Sequence, residues 1–296
     1  MKRGSVTGQP GRTRAPICGG SPADGGIEMQ TTVQTRNPVA RRNVSTTEAR
    51  TASHKTYAKL IGALFLIGFL TYGIGLALVN SVITVPDFVA NIPAVETTLI
   101  LGAFLMLGNT VVDIGKGVLF FPILANHGMR TALVYLAAIA VQVVFLDIGA
   151  LFLLMLVPLA QIASDAGPSS AAWAPGIGSL LSESNTVAYN VGQAILCFGG
   201  VFLALLLFRT RLIPRALAGL GVVGYLMHAA GSISEIFGLP LELVLLIPGA
   251  LFEIGIAFWL IFKGFDRAAM ARGRISAAEA ERSGPGTAVA SVAVAS

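Results

Sequence analysis

Residues 99–124 read LILGAFLMLGNTVVDIGKGVLFFPIL, and this stretch decides the fold. As a helix it is long enough to cross the hydrocarbon core of a bilayer, for which about 20 apolar residues suffice. Asp113 lies near its middle, with Asn109 four residues before it and Lys116 three residues after it. A charged side chain at the centre of a membrane helix costs about 2.5–3.5 kcal/mol, so it needs partners, water or a proton. The stretch therefore predicts a membrane helix whose polar face is buried in protein.

The whole chain has the composition of a membrane protein with several helical spans. Of its 296 residues 54% are hydrophobic and 12% are charged, and the charges leave long neutral runs between them. This pattern predicts an all-α integral membrane protein with six transmembrane helices. We expect the spans at 58–80, 98–124, 131–159, 187–208, 216–238 and 241–263.

The segments outside the spans are polar, basic or rich in small residues. Residues 1–56 lack apolar periodicity, which predicts a disordered basic cytoplasmic tail before a six-span domain at 57–265. Residues 266–296 predict a mobile cytoplasmic tail that begins with a pattern compatible with a short interfacial helix. The longest outside connection is expected over 160–186, as a plain connection or as a lid.

The basic residues alternate between the two ends of the predicted spans. Ten of the twenty Lys and Arg residues lie in 1–59, whereas 81–97, 160–186 and 239–240 contain none. By the positive-inside rule, both termini are predicted to be cytoplasmic. The net charge of +5 is therefore explained by membrane topology, and no nucleic acid is expected as a partner.

Polar side chains recur inside the other predicted spans. Asn109, Asp113 and Lys116 share one stripe of a 3.6-residue helix, so Lys116 can pair with Asp113 or extend toward water. His228 lies in a stripe with glycines, where it is either satisfied by a backbone carbonyl or available for a proton or a ligand. The candidate intramembrane polar site comprises Asn109, Asp113, Lys116, Asp147, His228 and Glu253, with Gln142, Asn190, Gln193 and Glu235 as weaker members.

Most kinds of catalytic or cofactor chemistry lack a signature in the sequence. The three histidines are scattered, Cys18 and Cys197 lie in different environments, and no nucleophile elbow or phosphate-binding loop is present. We therefore expect no metal site, no cofactor and no catalytic residue. The expected partners are the lipid bilayer and a small solute or proton, and the sequence leaves the oligomeric state open.

Two segments resemble a known family. The first is FRTRLIPR at 208–215, followed by LAG at 217–219 and GYL at 224–226, and the second is EIGIAFWLIFKG at 253–264. Both resemble the bacterial membrane family of domain of unknown function 4386, over about residues 57–265. The resemblance implies six spans in a bacterial inner (plasma) membrane and carries over no activity or functional residue.

Three functional hypotheses follow from the polar residues. In the leading one the protein moves or senses a small solute or protons through a cavity lined by polar side chains from several spans. In the second it is a structural or partner-binding membrane protein, in which the same side chains only fix helix packing. An intramembrane enzyme is the third. Convergence of Asp113, His228 and Glu253 on one cavity would favour the first over the second.

Overall fold

The computed structural model describes residues 38–167 and 170–282, and this part of the chain is helical throughout, with no β-strand. The predicted all-α class is therefore confirmed for the described residues. The described residues from Thr46 onward form one compact unit, and the first turns of α1, residues 38–45, lie outside it. The helices are α1 Pro38–Ile83, α2 Phe88–Leu154, α3 Leu156–Ala166, α4 Ala174–Thr210, α5 Arg215–Ile236, α6 Glu242–Phe262 and α7 Arg267–Arg282.

The helix α2 is folded back on itself as a hairpin. The backbone leaves helical geometry at Gly128, and the rings of Phe120 and Tyr135 lie 6.3 Å apart. In a straight helix these two residues would be separated by about 22 Å. Residues 88–127 and 129–154 are therefore two antiparallel segments, called α2a and α2b below.

The structure contains six apolar helical segments. Five helices in the described ranges are long and apolar enough to cross a membrane, and one of them runs through α2 and α3 over 79 residues. At 1.5 Å per residue, 79 residues would extend about 120 Å, several times the thickness of the hydrocarbon core. The hairpin at Gly128 divides this stretch, which agrees with the turn predicted between residues 124 and 131.

The observed helices can be compared with the predicted spans, and α5 and α6 differ from them least. These helices begin and end within two residues of the predicted spans 216–238 and 241–263. The connection predicted over 160–186 is wrong for most of its length, because α3 extends to Ala166 and α4 begins at Ala174. Pro175 explains the early start of α4, since proline suits the first turn of a helix.

The flanking segments contain more helix than predicted. α1 begins at Pro38, so residues 38–56 are helical, whereas residues 1–37 lie outside the described residues. Helix α7 occupies the position of the expected short interfacial helix, and residues 283–296 also lie outside the described residues. Predicted span 3 is interrupted near its end, between α2b and α3. Pro158 lacks the amide that would bond to the Leu154 carbonyl.

Neighbouring apolar segments pack antiparallel, and glycines lie at the closest approaches. A methyl group at Gly224 would lie 2.8 Å from Gly249 Cα, and one at Gly221 would lie 2.7 Å from the Phe252 ring. The glycine stripe predicted on α5 is therefore the surface against which α6 packs. Two further pairs of segments pack in the same antiparallel way. Gly75 of α1 lies close to Gly102 of α2a, and Ala138 of α2b lies close to Gly199 of α4.

Helix α7 lies at the end of the bundle where the basic residues collect. The Asp266 amide donates a hydrogen bond to the Leu212 carbonyl in the α4–α5 turn, at 2.9 Å. His127, next to the hairpin turn, has Nε2 at 3.0 Å from the Ala269 carbonyl oxygen of α7. The α2 hairpin, the α4–α5 turn and α7 therefore share one end.

The Gly75–Gly102 contact predicts a large difference between two glycine substitutions on α2a. A methyl group at Gly102 would lie 2.9 Å from the Gly75 carbonyl oxygen, whereas one at Gly108 would meet nothing within 4 Å. We expect Gly102→Ala to destabilise the fold by about 1–3 kcal/mol, because two backbones must separate. Gly108→Ala, the matched control, should be neutral or slightly stabilising, since alanine is the better helix former.

Unfolding of the two purified variants in the same detergent measures this difference. Equal stabilities for Gly102→Ala and Gly108→Ala would contradict the α1–α2a packing.

Candidate functional site

One cavity of about 240 Å³ lies among α1, α2a, α2b, α4, α5 and α6. It collects polar side chains that are far apart in sequence. Seven polar or charged residues predicted as site candidates line it: Asn109, Asp113, Lys116, Gln142, Gln193, His228 and Glu253.

Asp113 is at the centre of a hydrogen-bonded chain. Its Oδ1 lies 2.6 Å from Lys116 Nζ, and its Oδ2 accepts a hydrogen bond from Asn109 Nδ2 at 3.1 Å. Asn109 Oδ1 in turn accepts one from Thr71 Oγ1 on α1, at 3.3 Å. Spacings of three and four residues bring the three α2a side chains together on one face. Both oxygens of the buried Asp113, which is 4% exposed, are therefore engaged.

The ammonium group of Lys116 fits against α1 because Gly68 leaves room for it. A methyl group at Gly68 would lie 3.6 Å from Lys116 Nζ and 3.2 Å from Asn109 Oδ1. One turn earlier on α1, the Phe65 ring has its centroid 4.8 Å from the same Nζ. An aromatic face attracts a cation at this distance, so the ion pair is enclosed by α1 as well as by its own helix.

Glu253 on α6 supplies a second carboxyl group to the cavity. Its Oε1 accepts a hydrogen bond from Tyr225 Oη on α5, at 3.1 Å. The Tyr225 ring packs against Gly200 of α4, where a methyl group would lie 2.8 Å from ring carbons. Lys116 lines the same cavity as Glu253, so one ammonium group shares this space with two carboxyl groups.

Two buried polar atoms on the cavity wall have no hydrogen-bond partner among the described residues. They are Oε1 of Gln142, which is 2% exposed, and Nε2 of His228, which is 7% exposed. A buried polar group left unpaired costs about 1–3 kcal/mol. Two such groups on one cavity indicate a place where a bound molecule or ion completes the hydrogen bonding.

Three predicted site residues do not line the cavity. Asn190 of α4 donates to the Thr186 carbonyl at 3.0 Å, and Asp147 of α2b and Glu235 of α5 also lie elsewhere. Within the described ranges, Asp147 Oδ1 and Asn190 Oδ1 are buried without a hydrogen-bond partner. An unpartnered atom therefore points to a ligand only where, as for Gln142 and His228, it also lines a cavity.

The sequence analysis missed the aromatic and hydroxyl residues of the site. Tyr72 on α1 and Tyr189 on α4 line the cavity, with their rings stacked at 5.4 Å. Thr71 completes the Asp113 network, and Tyr225 holds Glu253. A hydroxyl group inside an apolar span could have indicated these residues, because a buried tyrosine usually forms a hydrogen bond with a polar partner.

The cavity reaches the surface between α1 and α6. These helices touch at one level, where a methyl group at Gly62 would lie 2.6 Å from the Ala257 carbonyl oxygen. Three turns further along α1, Gly73 lines the cavity, is exposed and would have nothing within 4 Å of a methyl group. We call this opening the α1–α6 gap, and its other lining residues are Phe69, Leu76, Leu246 and Ala250.

A second hollow, of about 310 Å³, lies at the basic end of the bundle. It is lined by Lys55, Lys263, Arg267 and Arg274, all of them exposed, over a floor that includes Ile123 and Met270. It is larger than the central cavity, but its charged residues are exposed, whereas in the central cavity Asp113 is buried and Lys116 and Glu253 are partly buried. Within residues 38–167 and 170–282, no three His, Cys, Asp or Glu side chains are grouped as metal ligands.

The fold and the cavity define a class: an all-helical protein whose apolar helices fit a membrane and enclose a charged cavity. The sequence model of a family described as domain of unknown function (DUF4386) matches residues 60–264, and the chain belongs to this family. The matched region contains the six apolar segments and every cavity residue. Comparisons with curated proteins and with solved structures gave no match.

The shared ammonium group predicts an order of stability among three variants. Lys116→Met leaves two carboxyl groups without a cation, whereas Asp113→Asn leaves Lys116 with Glu253. We expect Lys116→Met to lose up to about 3–5 kcal/mol, the usual cost of breaking a buried pair, and Asp113→Asn to lose less. The double variant should recover part of the loss, because neither buried charge of the pair remains.

Thermal unfolding of the wild type and of the purified single and double variants gives a double-mutant cycle for Asp113 and Lys116. Losses that simply add in the double variant would contradict the direct Asp113–Lys116 contact.

Proposed function

We propose that the chain is an integral protein of a bacterial plasma membrane that crosses the bilayer six times with both termini in the cytoplasm. The six apolar segments supply the crossings. The charge distribution supports the orientation, because the α4–α5 turn and α7 are basic and lie at the same end of the bundle. Family membership is consistent with this assignment.

Labelling of single cysteines tests this orientation. In a Cys18→Ser, Cys197→Ala background, Ser170→Cys lies between α3 and α4 and Arg267→Cys begins α7, and both positions are exposed. We expect a membrane-impermeant maleimide to label Ser170→Cys in intact cells, and Arg267→Cys only after permeabilisation. The reverse pattern, or labelling of both in intact cells, would contradict the proposed topology.

For its activity, we propose that the protein moves or senses a small solute or protons through the central cavity. One observation carries this proposal: six apolar segments surround one cavity that is lined by three ionisable residues, Asp113, Lys116 and Glu253, and by two unpartnered buried polar atoms. Ionisable side chains inside a membrane domain are costly, and their usual role is in the path of a solute or proton. The α1–α6 gap offers an entrance.

We propose a non-enzymatic role for the same cavity. The residues that line it include no serine, threonine or cysteine that His228 could activate as a nucleophile. One of its two carboxyl groups, Asp113, is occupied by Lys116 and Asn109. These features favour binding over covalent chemistry.

A structural role is the second candidate, and the Asp113 network favours it. Because both oxygens of Asp113 are engaged within the protein, this residue alone would suit helix packing. Packing does not account for the unpartnered atoms of Gln142 and His228. A variant that fills the cavity without disturbing the Asp113 network distinguishes the two candidate functions.

Gly73→Phe is the variant that fills the cavity. A side chain at Gly73 meets no atom within 4 Å of its Cβ, so the fold should be retained while the ring occupies the α1–α6 gap. Gly108→Phe is the matched control, since Gly108 is equally unobstructed, exposed and outside the cavity lining. We expect Gly73→Phe to reduce transport or solute binding at least several-fold, and Gly108→Phe to behave like the wild type.

Two assays measure this effect. Proteoliposomes containing a pH-sensitive dye report proton movement under an imposed gradient, and thermal shift with a panel of amines, carboxylates and sugars reports binding. A wild type that responds in neither assay would contradict the proposal. So would Gly73→Phe, Asp113→Asn and Glu253→Gln variants that all match the wild type.

A further inference from the structure

We propose that the solute of the central cavity is a small organic cation, namely a protonated amine with an apolar substituent. This inference rests on the proposed function, because it assumes that the cavity holds a solute, and it names the chemical class. Four features carry it: the balance of charge, the excess of hydrogen-bond acceptors, the aromatic wall and the apolar entrance.

The cavity holds two carboxyl groups and one ammonium group. Asp113 and Glu253 supply the carboxyl groups, and Lys116 supplies the one ammonium group among the lining residues. Lys116 is paired with Asp113 at 2.6 Å, so Glu253 is the carboxyl group of the cavity without an ion-pair partner among the described residues. A protonated amine can take this place, because its charge balances the carboxylate of Glu253 in the membrane interior. An anionic solute would add a negative charge beside two carboxyl groups.

The unsatisfied groups of the cavity accept hydrogen bonds more readily than they donate them. Among the described residues, Gln142 Oε1 is an acceptor with no partner, and Tyr225 is the one hydrogen-bond donor to the Glu253 carboxyl group. His228 Nε2 accepts in one of its two neutral tautomers. The strongest donor, Lys116, is already directed at Asp113. An ammonium group has up to three N–H donors and matches this arrangement.

The aromatic residues of the wall suit a cation. The stacked pair of Tyr72 and Tyr189 lines the cavity together with Phe65 and Phe69. Aromatic faces stabilise organic ammonium groups, most strongly where water is excluded. Lys116 over Phe65 is the same interaction made within the protein.

The entrance and the volume define the rest of the solute. The α1–α6 gap is lined by Phe69, Leu76 and Leu246, so a substituent extending into it should be apolar. At about 30 Å³ for each water-sized group, a cavity of about 240 Å³ holds roughly eight non-hydrogen atoms. Benzylammonium, with a ring and one ammonium group, has this size and pattern.

Three probes of nearly equal size separate charge from shape: benzylammonium, neutral benzyl alcohol and anionic benzoate. We expect benzylammonium to raise the melting temperature of the full-length purified protein in a saturable manner. Benzyl alcohol should bind at least tenfold more weakly, and benzoate should give no saturable shift. Gly73→Phe should abolish the benzylammonium shift if the probe binds in the cavity. A shift caused by benzylammonium in the detergent micelle would remain in this variant.

Variants of two carboxyl residues test which carboxyl group pairs with the ammonium group of benzylammonium. Glu253→Gln should weaken benzylammonium binding at least tenfold, because it removes the carboxyl group that would pair with the ammonium group. Glu235→Gln is the matched control, since Glu235 lies on the neighbouring α5 but does not line the cavity, and its binding should equal that of the wild type. If Glu253→Gln does not fold, Gln142→Leu, which removes the unpartnered acceptor, should weaken the same binding.

The outcomes separate this inference from the proposed function. If benzyl alcohol or benzoate binds as tightly as benzylammonium and Gly73→Phe abolishes that binding, the cavity still takes a solute and the cation inference is overturned. Equal benzylammonium affinity in Glu253→Gln and Glu235→Gln would also overturn it. If none of the three probes binds, the inference fails, and the proton assay with the wider solute panel decides the proposed function.

Discussion

The ion pair between Asp113 and Lys116 is the interaction on which the rest of the structure depends. A carboxylate in the middle of an apolar helix is stable only when its partners are supplied, and α2a supplies two of them within one turn on either side. Lys116 must then be enclosed by protein, which requires α1 to approach closely at Gly68 and Phe65. The position of α1, and with it one wall of the cavity, follows from this requirement.

The same ammonium group links the pair to the other side of the bundle. Glu253 of α6 lines the same cavity as Lys116. It accepts a hydrogen bond from Tyr225 of α5, and the glycines of α5 allow α6 to pack closely against that helix. α1 and α6 touch at Gly62 but separate toward Gly73, so the charged groups are not sealed into a dry contact. A packing role alone would leave no reason for a cavity whose wall carries unpaired polar atoms.

The local parts of this arrangement could be predicted from the sequence, and the long-range parts could not. Spacings of four and three residues around Asp113 are sufficient to predict the shared face, and the long apolar runs are sufficient to locate α5 and α6. The helix over 174–186 could not be predicted from the sequence, because polar residues such as Glu183 and Asn185 are also typical of a loop. Tyr225 and Glu253 are 28 residues apart, and only the rotation of two packed helices brings them together. That rotation leaves no periodic signal in one sequence.

Asp113, Lys116, His228 and Glu253 line one cavity inside the helical domain. An electron cryomicroscopy map of the full chain in lipid nanodiscs, at a resolution that resolves ordered water, tests this arrangement most directly. We expect density for water or a solute between Gln142, His228 and Glu253, continuous with the α1–α6 gap. A map in which Glu253 faces lipid, or in which these side chains close on one another without a cavity, would contradict it.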